Sequence, residues 1–203
     1  MPKIVDHELY RKELLGKCFD LFAEKGYGSI TMRQIAQGLK VSTGTLYYYF
    51  PSKQTLFEQL VEEICQQDLR AALAELRGAQ TIQEEIESLG RYIVKNEDYF
   101  IKWTCIWVDF CQHQDSKQEG NAVFKRANQQ YKQAARDFFG IQNPALASFI
   151  VSFIDGLLLT KLRGDNMISI PEQFALLGNM LTLYLQQQES LNVAHSKPLA
   201  SSK

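Results

Sequence analysis

The sequence predicts an all-α protein of about nine helices, an N-terminal three-helix helix-turn-helix unit followed by a larger helical body. Three observations predict it. Apolar residues recur at three- and four-residue spacing, as in Leu15-Cys18-Phe19-Phe22 and Leu56-Phe57-Leu60-Val61-Ile64. No run of alternating β-branched residues with hairpin turns occurs, which excludes a sheet. The breaks carry helix punctuation, with Thr31, Ser42 and Ser52 as caps and Gly26 as a stop. At 203 residues, 45% hydrophobic and 22% charged, the chain has an ordinary globular composition and enough apolar material for a full core.

The first helix covers residues 8–25. Leu15, Cys18, Phe19, Leu21 and Phe22 give it one apolar stripe, which packs behind the next two helices. Thr31 then caps a short helix, and Gln34 three residues on completes a capping box. Ile35, Ala36 and Leu39 form its apolar face. Leu39-Lys40-Val41 is the turn, and Ser42 caps a second short helix running from Thr43 to Phe50. Leu46 and Phe50 share one side of that helix. Thr43, Gly44, Thr45, Tyr47 and Tyr48 occupy the other, a face thin at its start and then aromatic with hydroxyl tips. Small residues let a helix start sink into a groove, and hydroxyls donate to phosphate oxygens or reach base edges. A helix-turn-helix reads the major groove with the N-terminal residues of its second helix.

Ser52 caps the fourth helix, which runs from Lys53 to about Leu76 and is about 35 Å long at ~1.5 Å per residue. Lys53 lies in its first turn, where outward amide donors and the ammonium suit a phosphate. Arg77 to Gln80 breaks the helix. Further helices are predicted near 81–95, 98–113, 118–139, 144–164 and 171–188, separated by Asp115–Gly120, Gly140–Pro144 and Gly164–Pro171. The domains are placed at 1–52 and 53–191, with a small, polar and disordered tail over 192–203. There is no internal repeat.

Tyr99 to Phe110 carries Tyr99, Phe100, Trp103, Trp107 and Phe110 spread around one helix, as in a helix buried on all sides. The alternative is the wall of a ligand cavity, since pockets between bundle helices are lined by apolar and aromatic side chains. The last two long apolar segments each carry a stripe. One is Phe149, Phe153, Gly156, Leu157 and Thr160. The other is Phe174, Leu177, Leu181, Tyr184 and Leu185. Two such helices from each of two subunits make a four-helix interface, and the alternative is internal core.

The charge and residue inventory narrows the function classes. The formal net charge is −1, yet residues 1–57 carry 8 Lys and Arg against 5 Asp and Glu, a locally basic end on an acidic body. The N-terminal residues have no apolar signal-peptide core. Leu146 to Leu162 is interrupted by Asp155 and Lys161 and is short for a span, so it is read as a buried helix of a cytosolic protein. Cys18, Cys65, Cys105 and Cys111 form no disulfide framework and are expected to be reduced. His7, His113 and His195 are scattered. Cys105, Cys111 and His113 do not converge on a helix, so no metal, cofactor or catalytic set is assigned and an enzyme is not expected.

The run IAQGLKVSTGTLYYYFPSKQTLF, with LGKCFDLFAEKGYGSITMRQIA before it, resembles the DNA-binding signature of the TetR family of bacterial transcriptional regulators. The likeness covers roughly the first 60 residues, and Lys40 stands where the family usually has glycine in the turn. A non-glycine residue in a left-handed turn costs on the order of 1–2 kcal/mol. The resemblance implies a C-terminal ligand-binding and dimerisation domain and a dimeric repressor that a small-molecule effector, largely apolar or aromatic, releases from a pseudo-palindromic operator in double-stranded DNA. The two reading helices would enter major grooves roughly 34–36 Å apart.

On this reading the DNA-contacting set is Thr31, Arg33, Gln34, Lys40, Ser42, Thr43, Gly44, Thr45, Tyr47, Tyr48, Tyr49 and Lys53. Arg33, Thr43 and Thr45 would reach bases, and Tyr47, Tyr48 and Lys53 phosphates. The effector would lie against Tyr92, Trp103, Trp107, Tyr131 and Phe138. The dimer would form on the two stripes given above, as the last two helices do in TetR-like proteins. Such a regulator is cytoplasmic and joins the nucleoid when DNA-bound. The alternatives are a DNA-bound adaptor of the same fold acting through a protein partner, and a cysteine-based redox-responsive regulator. The sequence names neither operator, effector nor regulated genes, and does not separate repression from activation.

Overall fold

The structure, a computed structural model, describes residues 6–113, 121–165 and 167–196. Among these the fold is all-α. In chain order the helices are α1 (His7–Lys25), α2 (Met32–Gly38), α3 (Thr43–Tyr49), α4 (Lys53–Glu75), α5 (Ile82–Lys95), α6 (Glu97–His113), α7 (Asn121–Phe138), α8 (Pro144–Leu162) and α9 (Ile170–Ser196). The helix α9 continues past the boundary placed at 192, so residues 192–196 are helical rather than a disordered tail. Residues 197–203 and the expected break at 115–120 lie outside the described residues.

The chain divides into two compact units. One comprises residues 1–71 with 98–164, the other residues 72–97 with 165–203. In the first, one core runs from Leu14, Cys18 and Phe22 of α1 through Leu46 and Phe50 to Phe57 and Ile64 of α4, then Phe110 of α6 and Val123 of α7. No packing gap therefore falls at 52/53. The first three helices close over the same apolar residues as α4, α6 and α7, because three short helices bury too little surface to hold a core alone.

In the second unit α5 and α9 pack directly on each other. Gly90 makes the close approach, since a Cβ there would lie 2.7 Å from the Cβ and Cγ of Phe174. Phe174, Leu177 and Leu181 are buried on that side, Phe174 at 1% exposure. This corrects their assignment to a dimer face: they are internal core. The exposed apolar stripe of α9 is Leu176, Met180 and Leu183, with Leu183 at 67% exposure. Tyr184 and Leu185 are half-buried between the two sides.

The helix α8 is long and apolar enough to cross a membrane by length and composition, yet it is not the buried helix expected. Ala147, Ile150, Leu157 and Leu158 are buried, which moves Leu157 from the dimer stripe to the core. Phe149 is 48% exposed, Gly156 is exposed, and Phe153 and Thr160 are half-buried. A Cβ added to Gly156 would meet nothing within 4 Å.

Candidate nucleic-acid interface

Three caps fix the helix-turn-helix unit and the start of α4. Gln34 N donates to Thr31 Oγ1 at 3.3 Å while Thr31 N donates to Gln34 Oε1 at 2.9 Å, so the expected capping box forms. Ser42 Oγ accepts from Thr45 N at 2.9 Å and starts α3, and Ser52 Oγ accepts from Thr55 N at 3.0 Å. The turn between α2 and α3 passes through Lys40 at φ 57°, the left-handed region that favours glycine. We expect Lys40→Gly to stabilise the protein by about 0.5–1 kcal/mol, the relief of steric cost less the added chain entropy. Chemical unfolding reads it, and no gain would mean that the Lys40 stem makes compensating contacts.

Leu46 and Phe50 are fully buried under α3, which fixes its rotation. Thr43, Gly44, Tyr47 and Tyr48 face outward, with Tyr48 at 72% exposure, and Thr45 is half-buried. The Arg33 and Lys40 side chains are exposed and make no hydrogen bond or ion pair among the described residues. A thin helix start and two phenolic groups are thus exposed on α3, with one unpaired cation exposed on α2 and one in the turn.

Two members of the expected set point elsewhere. Tyr49 Oη and His7 Nδ1 are 2.8 Å apart, and the Tyr49 ring meets Tyr10 edge-on at 5.5 Å. Tyr49 therefore joins α3 to α1 instead of presenting its hydroxyl outward. Lys53 donates from Nζ to Tyr27 O at 2.7 Å and Ile30 O at 2.9 Å, and its ammonium sits 4.5 Å from the centroid of the Tyr27 ring. Burial lowers its pKa, opposed by the charge of Asp109. The ammonium closes the α1–α2 loop on two backbone carbonyls and so is not held out for a phosphate.

We expect Lys53→Met to lower stability by about 1–2 kcal/mol through loss of charged hydrogen bonds. The slope of DNA affinity against salt should stay unchanged, read by thermal unfolding and by binding at several salt concentrations. A slope smaller by about 1 with unaltered melting would restore the phosphate contact.

The same loop is held from the other side by α6. Gly28 N donates to Asp109 Oδ2 at 3.1 Å, and a Cβ at Gly28 would run into the His113 ring. Tyr27 is packed among Phe22, Phe57 and Phe110, with the last at 4.7 Å. No local pattern points to Asp109, since its partner lies 81 residues away.

A cleft of about 250 Å³ opens in the same unit between α6, α7 and α8. Trp103, Trp107 and Tyr131 line it as expected, together with Phe124, Lys125, Asn128 and Asp155, which the sequence did not single out. Tyr92 and Phe138 are not among its walls: Tyr92 is buried in α5 of the other unit, and Phe138 lies a helical turn or more beyond the cleft on α7. The α6 aromatics are half-buried save Phe110, so this helix is a cavity wall and not a helix buried on all sides.

Behind Tyr131 lies Asp68 of α4, 7% exposed. Tyr99 Oη donates to its Oδ1 at 2.8 Å and Tyr131 Oη to its Oδ2 at 3.1 Å. Burial pushes the Asp68 carboxyl up to about 6, against the pull of the two hydroxyls. Burial also pushes the Cys65 thiol up to about 11 and Cys18 to about 12, and it raises Cys111. Thiolate is the reactive form, so these sites do not favour the redox reading.

Residues 14–60 match the model of bacterial regulatory proteins of the tetR family. The chain is 23% identical over 191 residues to the HTH-type transcriptional regulator BetI of Rhizobium meliloti, covering 92% of this chain and 94% of that protein. It is 35% identical over 52 residues to the biofilm operon negative transcriptional regulator IcaR of Staphylococcus aureus, 26% of this chain and 28% of that one. The fold is similar to the fatty acid degradation regulator FadR from Bacillus halodurans, at TM-score 0.69 and 16% identity over 84% of this chain and 93% of that one.

Proposed function

Since the chain belongs to the TetR family and is a transcriptional regulator, we propose that it is a dimeric repressor that a small-molecule effector releases from a pseudo-palindromic operator. Residues 1–52 act as the reading head and 53–191 as the effector-binding and dimerising body, in the cytoplasm. The outward face of α3 carries this reading: Thr43, Gly44, Tyr47 and Tyr48 are exposed above a fully buried Leu46 and Phe50. Thr43 and Thr45 meet bases. Tyr47, Tyr48 and Lys40 meet phosphates, and Arg33 reaches a base edge. That IcaR is by name a negative regulator supports repression.

Exposed Phe149 and Gly156 beside half-buried Phe153 and Thr160 on α8, and exposed Leu176, Met180 and Leu183 on α9, support dimerisation. The cleft supports effector control. Its wall residue Tyr131 holds Asp68, about 22 Å along α4 from Lys53, and its wall helix α6 ends on Gly28 through Asp109. A ligand that favours one setting of α6 and α7 thereby shifts the population of head orientations.

The test is selection of genomic fragments by the purified protein near physiological salt. A few palindromic sites, lost on adding an extract that contains the effector, are expected. Many scattered non-promoter sites insensitive to every extract would replace this reading with the adaptor. Arg33→Ala should then lower discrimination at one base pair per half-site by about 1–3 kcal/mol, seen in a mismatch series on the selected site. Unchanged mismatch penalties would remove Arg33 from the base contacts.

A further inference from the structure

The cleft walls are largely apolar and aromatic, as expected, with Lys125, Asn128 and Asp155 set among them. Phe124 lies 6.0 Å from the Trp103 ring and 6.4 Å from the Trp107 ring, edge-on to the latter, so three aromatic groups face one space from α6 and α7. Tyr131 adds a fourth about two turns along α7. To the same cleft α8 contributes Asp155. Its carboxylate makes no ion pair within 4 Å among the described residues. Burial raises its pKa and the charge of Lys132 lowers it. Asp155 and Lys125 are both exposed at the cleft; the short Asp155 side chain keeps its carboxylate there, whereas the long Lys125 stem lets the ammonium turn to water.

We propose that the cleft takes an organic monocation, a quaternary or tertiary ammonium with its charge between the aromatic rings and Asp155. This rests on the reading of the cleft as the effector site and names its chemical class. Aromatic faces carry negative potential and attract a desolvated cation, most strongly at tryptophan. Asp155 supplies the counter-charge. A neutral ligand of the same shape would cover Asp155 and return nothing to its carboxylate, and an anion would face both Asp155 and the Asp68 charge behind Tyr131. Together these groups select for positive charge within a space of about 250 Å³.

The two tryptophans of the chain, Trp103 and Trp107, both line this cleft, so intrinsic fluorescence reports on it without a label. The full-length protein is titrated with benzyltrimethylammonium and with 2,2-dimethylpropylbenzene, in which carbon replaces the charged nitrogen. We expect a saturable spectral change with the cation, at least tenfold weaker binding of the neutral isostere, and at least tenfold weaker cation binding by Asp155→Asn with unchanged melting. Equal binding of the two compounds overturns the charge selectivity and leaves an apolar effector cleft. Saturation by neither compound also overturns the proposal, and whether cell extract releases the selected DNA then decides separately if the regulator reading stands. Undiminished cation binding by Asp155→Asn removes the carboxylate from the site and overturns its role.

Discussion

Replacing Met180 and Leu183 together with glutamate should turn the proposed dimer into a monomer and weaken operator binding by at least about a hundredfold. Both residues lie on the exposed side of α9 with Leu176, spaced so that they form one stripe. Scattered exposed apolar residues are ordinary, but a continuous stripe on a helix whose other side is packed needs a cover. Carboxylates placed in such an interface must be desolvated without partners, which costs several kcal/mol. Joining two reading heads makes the second half-site contact intramolecular, and its loss removes roughly 10²–10⁴ in avidity.

The variant should keep its helix content and melting temperature. Light scattering and anisotropy on a selected fragment read the two effects. A variant that remains dimeric would move the interface away from α9. The contrast is Phe174→Glu, which places a charge in the α5–α9 core and should unfold that unit instead.

Asp68→Asn should stabilise the protein at pH 7 by up to about 3 kcal/mol and leave it unchanged near pH 4. Asp68 has its folded pKa raised to about 6 from an ordinary value of 3.8. The folded state therefore binds its proton more tightly than the unfolded chain does. The stability that this group provides is complete below about pH 4 and falls as pH rises towards 6, by 1.36 kcal/mol per pKa unit. Asparagine resembles the protonated form, its oxygen accepting from one tyrosine hydroxyl and its amide donating to the other's oxygen, so it removes that loss. The measurement is the difference in unfolding free energy between the two proteins at several pH values, which cancels every other carboxylate. A flat difference would mean that the two hydroxyls fully offset the burial of the charge. Since Asp68 joins α4 to the cleft residue Tyr131, the variant should also change how strongly effector alters DNA affinity.

The local signals in this chain were strong wherever a few consecutive residues set the conformation. Thr31, Ser42 and Ser52 cap their helices as the spacing required, Lys40 takes the left-handed turn, and Leu46 and Phe50 orient α3. These features depend on hydrogen bonds and sterics within about four residues, which the order of amino acids states directly. The outward face of the reading helix follows from them, because burying one side of a helix leaves the other side out.

Periodicity shows that α9 has apolar residues, but not which of two neighbouring stripes meets α5. Gly90 decided that by admitting Phe174, which left Leu176, Met180 and Leu183 outside. Lys53 looked like a phosphate ligand until the carbonyls of Tyr27 and Ile30 were brought to it. Asp155 looked like an interruption in an apolar helix until α8 set it in one cleft with Trp103 and Trp107.

By itself, then, the sequence determined the helices, their caps and the exposed face of α3, all of them products of short-range hydrogen bonding and helical period. The tertiary structure alone decided which stripe is core, which cation is occupied and what charge the cleft holds. Those depend on groups tens of residues apart, and only the packing of one helix on another places them within a few ångströms.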